Sequence, residues 1–143
     1  MAIKNKVVII TGASSGIGKA TSQLLSENGA KIVLAARNKD KLEQVVNEIK
    51  RKNGEAVYKV TDVSKREDVK SLVDFAISKY GKIDVIFNNA GLMPNSPLSE
   101  FRTNEWDEMI DVNLKGVING IEAVLPHFIE QKSGHVISTS SVA

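Results

Sequence analysis

Residues 7–18, VVIITGASSGIG, decide the fold of this 143-residue chain. Residues 7–10 are an uninterrupted β-branched run, typical of a strand buried on both faces of a parallel sheet. The run leads into a glycine-containing turn and then into a helical pattern whose predicted apolar face carries Ile17, Ala20, Leu24 and Leu25. In such a strand–turn–helix unit, the N–H groups at the helix N-terminus can bind a phosphate, and glycines let the backbone approach it.

The glycines of this turn, Gly12, Gly16 and Gly18, have the spacing G-x-x-x-G-x-G. This spacing differs from the G-x-G-x-x-G fingerprint of dinucleotide-binding folds. The turn alone is therefore consistent with either a phosphate-binding loop or an ordinary tight connection between a strand and a helix. The rest of the sequence favours the phosphate-binding loop.

Composition limits the classes of function. The 19 basic and 17 acidic residues are scattered rather than clustered, so we predict no nucleic-acid partner. The sequence contains no cysteine, which excludes disulfides and a cysteine nucleophile, and its two histidines lack the spaced partners of a metal site. The apolar run near the N-terminus is too short for a signal peptide or a membrane span, so we expect a cytoplasmic protein without a membrane partner.

Apolar runs and helical patterns alternate along the chain. Further strands are predicted at residues 31–36, 56–60, 83–87 and 135–139, and helices at residues 40–52, 64–80 and 103–131, the second opened by a Ser64-x-x-Glu67 capping box. Short connections imply right-handed crossovers, and therefore an α/β fold with a doubly wound parallel sheet of strand order 3-2-1-4-5 between two helical layers. Its ligand crevice should lie at the carboxyl edge of the sheet, between strands 1 and 4.

Four motifs in this order resemble those of the classical short-chain dehydrogenases/reductases. Residues 11–18 resemble the family's T-G-x-x-x-G-x-G motif, and residues 88–91 its N-N-A-G motif. Asn113 matches the active-site asparagine, and residues 134–141 resemble the strand that delivers the catalytic serine. The resemblance runs from about residue 5 to the last residue. It implies a Rossmann-type NAD(P)-binding domain over residues 1–143 and an oxidoreductase that interconverts an alcohol with a ketone or aldehyde.

The resemblance also implies a set of cofactor-binding residues. These are Gly12, Ser14, Ser15, Gly16, Ile17, Gly18, Arg37, Asp62, Val63, Asn89, Ala90 and Gly91. Asp62 and Val63 would contact adenine, although local capping of the loop before Ser64 explains Asp62 nearly as well. Asn89 would contact the cofactor ribose, or it could simply tie neighbouring loops together.

The residue that ends the second strand decides between NAD and NADP in the family. An acidic residue there would bind the ribose 2′-hydroxyl of NAD, but this chain has Ala36 followed by Arg37. A guanidinium can bind a 2′-phosphate bidentately, which predicts NADP as the cofactor, with NAD less favoured. The family's second NADP marker, a basic residue before the middle glycine, is replaced by Ser15. Arg37 could also be a solvated charge in a loop.

The resemblance implies catalytic roles for Asn113 and Ser141. In the family the asparagine bends its helix and holds a water in a proton relay, whereas an exposed polar residue without a role is the alternative. The serine hydrogen-bonds the substrate oxygen. Ser141 fits the position before a hydrophobic-small-glycine turn best, and Ser140 is second.

The chain departs from the family at the general acid, a tyrosine in a Y-x-x-x-K motif. Neither Tyr58 nor Tyr80 is followed by lysine four residues later. We therefore expect a C-terminally incomplete domain that is inactive alone, and a homo-oligomer, dimer or tetramer, in the complete protein. A non-catalytic NADP(H)-binding module and an inactive truncated fragment are the alternatives. The resemblance implies a small carbonyl compound or alcohol as the substrate, to whose pocket residues 92–98 are the part of this chain that could contribute.

Overall fold

The computed structural model describes residues 2–142, and within them five parallel strands form one sheet of order β3-β2-β1-β4-β5. The elements are β1 (Val7–Thr11), α1 (Gly16–Glu27), β2 (Lys31–Ala36), α2 (Lys39–Arg51), β3 (Glu55–Val60), α3 (Arg66–Tyr80), β4 (Val85–Asn88), α4 (Thr103–Met109), α5 (Gly116–Gln131) and β5 (His135–Ser138). A π-helical segment, Ile110–Lys115, joins α4 to α5. The predicted α/β class and strand order are confirmed.

Alternation along β1 divides the core into two halves. Val7 and Ile9 face one side of the sheet, where they pack in a cluster with residues of α3 and α5. Val8 and Ile10 face the other side, in a cluster with the apolar stripe of α2. Because successive side chains of a strand point to opposite faces, a strand covered on both sides must be apolar throughout. All five residues of β1 are accordingly buried.

The predicted apolar face of α1 was wrong for most of its residues. Ile17 and Leu24 are 63 % and 59 % exposed, and the buried residues of the helix are Gly18, Ser22 and Ser26. Small residues let a helix backbone lie close to its neighbours, and the buried Ser22 hydroxyl is satisfied by donating to the carbonyl of Gly18 at 2.7 Å. Of the predicted face, Leu25 alone packs against the core, and Ile17, Ala20 and Leu24 are exposed.

The predicted capping box at the start of α3 was also wrong. The helix begins at Arg66, and its N-cap, Lys65, makes no side-chain cap hydrogen bond. The Ser64 hydroxyl instead donates to Oδ1 of Asp62 at 2.6 Å, which stabilises the turn before the helix. By contrast, the helix has a regular apolar side, on which Val69, Leu72, Val73 and Ala76 are buried.

The long helical stretch 103–131 buries small and polar residues as well as large apolar ones. Its buried positions in α5 are mostly small or polar, namely Gly116, Asn119, Gly120, Val124 and Phe128, whereas Ile110, Ile121 and Leu125 are exposed. A Cβ on Gly120 would collide with the Asn88 side chain, so glycine is what allows α5 to pack this closely on β4. All four residues of β5, at the sheet edge, are exposed. Within residues 2–142, no helix has both the length and the apolar character needed to cross a membrane.

Candidate functional site

A cavity of about 650 Å³ opens at the carboxyl edge of the sheet. Loops that follow β1, β2, β3 and β4 all contribute to its wall, as the winding of the strands predicts. The predicted cofactor residues that line it are Gly12, Ser14, Ser15, Ile17, Arg37, Asp62, Val63, Asn89, Ala90 and Gly91. Gly16 and Gly18 lie in the same loop but do not line the cavity.

Thr11 holds the first and fourth loops together. It is 2 % exposed, and its hydroxyl oxygen accepts hydrogen bonds from the backbone N–H groups of Asn89 and Ala90, both at 3.0 Å. The Asn89 amide donates to the carbonyl oxygens of Thr11 and Gly12, at 3.3 and 3.4 Å. The Thr139 hydroxyl, just beyond β5, donates to Oδ1 of Asn89 at 2.8 Å. Asn89 therefore does tie neighbouring loops together, and a contact with a ribose stays a prediction.

Replacing Thr11 with valine tests this arrangement. Valine keeps the shape but leaves the N–H groups of Asn89 and Ala90 without their acceptor, so we expect a loss of about 2–3 kcal/mol in the free energy of unfolding. Thr61→Val is a matched control, because Thr61 is equally buried but only donates one hydrogen bond, to the carbonyl of Lys59. Urea denaturation of both variants measures the difference, and equal losses would contradict this role for Thr11.

The start of α1 leaves its backbone donors open. Ser15 is the N-cap, but its side chain makes no cap hydrogen bond, and the first turn contains no acidic residue. Gly18 packs this turn against its own loop, since a Cβ there would lie 2.7 Å from Nδ2 of Asn89 and collide with the Gly12 carbonyl. Uncapped N–H groups and the helix dipole favour an anion at this end of the cavity.

The far end of the cavity carries charge of both signs. Arg37 extends from the end of β2, and its guanidinium pairs with the Glu108 carboxylate of α4 at 3.5 Å. Hydrogen bonds from the Ser64 hydroxyl and backbone N–H outweigh burial and, with the charges of Lys65 and Arg37, lower the pKa of Asp62. Asp62 is thus an ionised local cap, as the alternative predicted, and it also lines the cavity. Val63 is 8 % exposed and packs with Val69 and Val112.

Asn113 lies in the π-helical segment and binds the loop after β4. Its Oδ1 accepts from the N–H of Leu92 at 2.9 Å, and its Nδ2 donates to the carbonyl oxygen of the same residue at 2.7 Å. The Asn113 side chain thus satisfies both the N–H and the C=O of Leu92, as the backbone of a neighbouring strand would. Single π-turns are frequent at functional sites. Although Asn113 is exposed, it has a structural role, because its two hydrogen bonds fix the backbone beside Gly91.

Ser140 and Ser141 follow β5 at the same edge of the sheet, and both are exposed. Of the described residues that follow β5, Thr139 is the one that lines the cavity. Neither Ser140 nor Ser141 lines the cavity, so both stay candidates for the serine that would contact a substrate. Within residues 2–142, no group of three or more histidine, aspartate or glutamate side chains is arranged to hold a metal ion.

A family model described as short chain dehydrogenase matches residues 6–143. The chain belongs to the short chain dehydrogenase family. An uncharacterized oxidoreductase of Listeria monocytogenes is 67 % identical over all 143 residues, which cover 58 % of that protein. An uncharacterized oxidoreductase of Staphylococcus saprophyticus is 53 % identical over 99 % of this chain and 56 % of its own. The chain therefore spans a little over half the length of these relatives.

Solved structures of short chain dehydrogenases have the same fold. One from Burkholderia phymatum, in complex with NAD, superposes with a TM-score of 0.94 at 34 % identity, over 99 % of this chain and 51 % of that one. A metagenomic short-chain oxidoreductase, in complex with NADP, has a TM-score of 0.92 at 37 % identity, over 100 % of this chain and 65 % of its own. The structural neighbours of this short chain dehydrogenase thus include one protein in complex with NAD and another in complex with NADP.

The cavity of this short chain dehydrogenase fits a dinucleotide. Open N–H groups at the start of α1 suit a pyrophosphate, and the exposed apolar side chain of Ile17 beside them is one that a nucleotide would cover. Val112 and Thr139 also line the cavity, and sequence reasoning missed both. Val112 had no signal of its own beside Asn113. Thr139 lies within residues 134–141, which resemble the strand that delivers the catalytic serine, but the resemblance assigned it no role.

Proposed function

We propose that this chain is the cofactor-binding part of an NADP-dependent oxidoreductase that interconverts an alcohol with a ketone or aldehyde. In this proposal, residues 1–143 form one NAD(P)-binding domain that is C-terminally incomplete relative to the family. The observation that carries the cofactor choice is the end of β2. There the small, uncharged Ala36 and the guanidinium of Arg37 both line the cavity.

Charge and geometry at this point favour a 2′-phosphate. A carboxylate at position 36 would accept a hydrogen bond from a ribose 2′-hydroxyl and repel a phosphate, but Ala36 does neither. Arg37 can offer two parallel N–H donors, and such charge-assisted bidentate bonds are among the strongest in proteins. The Arg37 side chain is 64 % exposed, so it has room to turn toward a ligand.

The other residues divide the work along the cavity. The N–H groups after Ser15 would hold the pyrophosphate, the Asn89 loop would contact the ribose, and Asp62 would accept a hydrogen bond from the adenine amino group. The hydride would come from, or go to, NADP(H) bound there. Asn113 fixes the Leu92 backbone next to the reacting end. Ser141 donates a hydrogen bond to the substrate oxygen, where negative charge develops.

Calorimetric titration of the parent chain and two variants with NADP⁺ and NAD⁺ tests the cofactor proposal. We expect the parent to prefer NADP⁺, and Arg37→Ala to lose about 1.5–3 kcal/mol of NADP⁺ affinity, about 10- to 150-fold, with little effect on NAD⁺. Ala36→Asp should shift the preference toward NAD⁺.

Arg66→Ala is the matched control for this titration. Arg66 is an exposed arginine that also pairs with a glutamate, Glu122, but it does not line the cavity. We expect its removal to leave both affinities unchanged. Equal affinity of the parent for the two cofactors, or an Arg37→Ala variant that binds NADP⁺ as tightly as the parent, would overturn the assignment.

We further infer that the complete protein is a cytoplasmic homo-oligomer, either a dimer or a tetramer. The exposed apolar side chains of α5, which include Ile118, Ile121, Leu125 and Ile129, support an interface on this helix. The balanced charge of the chain supports a small-molecule substrate rather than a nucleic acid.

A further inference from the structure

Arg37 lies on a wall that separates two cavities. On one side is the proposed cofactor cavity, and on the other is a cavity of about 400 Å³ between the end of β2 and helix α4. The second cavity is lined by four carboxylates, those of Asp62, Asp107, Glu108 and Asp111. Arg37, the residue proposed to bind the 2′-phosphate, is therefore flanked by negative charge from the lining of the second cavity.

Two of these carboxylates already have strong local partners. Asp62 accepts from the hydroxyl and N–H of Ser64, at 2.6 and 3.0 Å. Asp111 pairs with Lys115 at 2.8 Å, four residues later in the helix. Glu108 instead reaches across to the end of β2, where its Oε1 lies 3.5 Å from a terminal nitrogen of Arg37. Among the four, Glu108 is thus the carboxylate in direct ionic contact with Arg37, the residue predicted to bind the phosphate.

We propose that Glu108 is a specificity-determining residue that competes with the cofactor 2′-phosphate for Arg37. This inference rests on the proposed function. Glu108 holds the guanidinium toward the acidic cavity, so that binding of NADP requires Arg37 to leave or share this partner. NAD carries a neutral 2′-hydroxyl and makes no such demand. Glu108 therefore lowers the affinity for NADP without changing the affinity for NAD.

The size of the effect follows from exposure. The side chains of Arg37 and Glu108 are 64 % and 50 % exposed, and solvent screens an ion pair of this kind. A phosphate that bears up to two negative charges and accepts two parallel N–H bonds can displace a single carboxylate. Glu108 thus tunes the preference for NADP rather than abolishing it, and the effect should shrink as salt concentration rises.

Two small probes isolate this contact. Adenosine 2′,5′-bisphosphate and 5′-AMP differ only in the 2′-phosphate, and neither needs a nicotinamide pocket or a substrate. Calorimetric titration of the full 143-residue chain with each gives their dissociation constants. We expect Glu108→Gln to bind the bisphosphate about two- to fivefold more tightly than the parent and to bind 5′-AMP equally well.

Matched variants separate this effect from a general change of charge. Glu122→Gln removes another exposed carboxylate that pairs with an arginine, Arg66 at 3.1 Å, and should leave both dissociation constants unchanged. In an Arg37→Ala background, Glu108→Gln should no longer tighten binding of the bisphosphate, since no guanidinium remains to be released.

Each result of the titrations has a defined meaning. Tighter binding of the bisphosphate alone, which disappears without Arg37, supports the competition. If Arg37→Ala weakens binding of the bisphosphate but Glu108→Gln leaves it unchanged, or tightens 5′-AMP equally, the role of Glu108 is overturned and the NADP preference stands. If the parent does not distinguish the two probes and Arg37→Ala changes neither, both the role of Glu108 and the proposed NADP preference are overturned.

Discussion

Replacing Gly18 with alanine is expected to lower the free energy of unfolding by on the order of 3 kcal/mol, the upper part of the usual range for overpacking. The added Cβ would lie 2.8 Å from the carbonyl carbon of Gly12 and 2.7 Å from Nδ2 of Asn89, and it would collide with the Gly12 carbonyl oxygen. Backbone atoms cannot rotate away as a flexible side chain can. The loop that follows β1 must therefore move away from α1, which also opens the site around Asn89.

Gly16→Ala is the matched control for this prediction. It adds the same methyl group to the same turn, where nothing lies within 4 Å of the new Cβ. Its φ of +56° costs an alanine only about 1–2 kcal/mol. Urea denaturation monitored by circular dichroism compares the two variants. If Gly18→Ala were no less stable than Gly16→Ala, close packing of the loop against α1 would not be what requires glycine at position 18.

The strands and the site edge were predictable because their signals are local. A strand covered on both faces must be apolar throughout, so VVIIT and KIVLAA are readable as buried strands. The carboxyl ends of parallel strands meet at one edge of the sheet. The shared location of the loops at Gly12, Arg37, Asp62 and Asn89 could therefore be predicted before any of their contacts were known.

The buried faces of the helices were less predictable, because a helix can pack against the sheet through small residues as well as through large apolar ones. In α1 the buried side is Gly18, Ser22 and Ser26, which no hydrophobic pattern reveals. The π-helical segment around Asn113 has a different hydrogen-bond spacing from the helices it joins, and apolar periodicity does not report it. Glu108 reaches Arg37 across 71 positions of sequence, and only the folded chain shows that contact.

The largest expected effect concerns proton transfer to the substrate oxygen. Both tyrosines of the chain are poorly placed for it. The Tyr58 hydroxyl donates to Glu43 at 2.7 Å, and this hydrogen bond is the main cause that raises its pKa. Burial, together with the charge of Glu55, raises the pKa of Tyr80 to about 12. Tyr80 packs near Lys31 at the start of β2, the sheet edge opposite the cavity. Neither tyrosine lines the cavity.

We therefore expect the 143-residue chain alone to reduce carbonyl compounds with NADPH slowly. Its rate should be about a hundred- to ten-thousandfold below that of a protein whose general acid is positioned at the substrate oxygen. The comparison is a chimera in which the rest of the 67 %-identical Listeria monocytogenes relative follows residue 143. The family's Y-x-x-x-K motif is expected in that added part. In a second chimera, phenylalanine replaces its tyrosine, which removes the proton but keeps the fold.

The three proteins separate loss of an acid from loss of a binding site. Titration with NADPH should give similar affinities for all three, because the cofactor cavity is lined by residues of the printed chain. Stopped-flow measurement of NADPH oxidation with a panel of ketones and aldehydes should then show fast turnover only in the first chimera. Transfer of hydride without a proton leaves an alkoxide, so the phenylalanine chimera should be as slow as the printed chain. Equal rates for the printed chain and the first chimera would refute the proposal that the acid lies outside these residues.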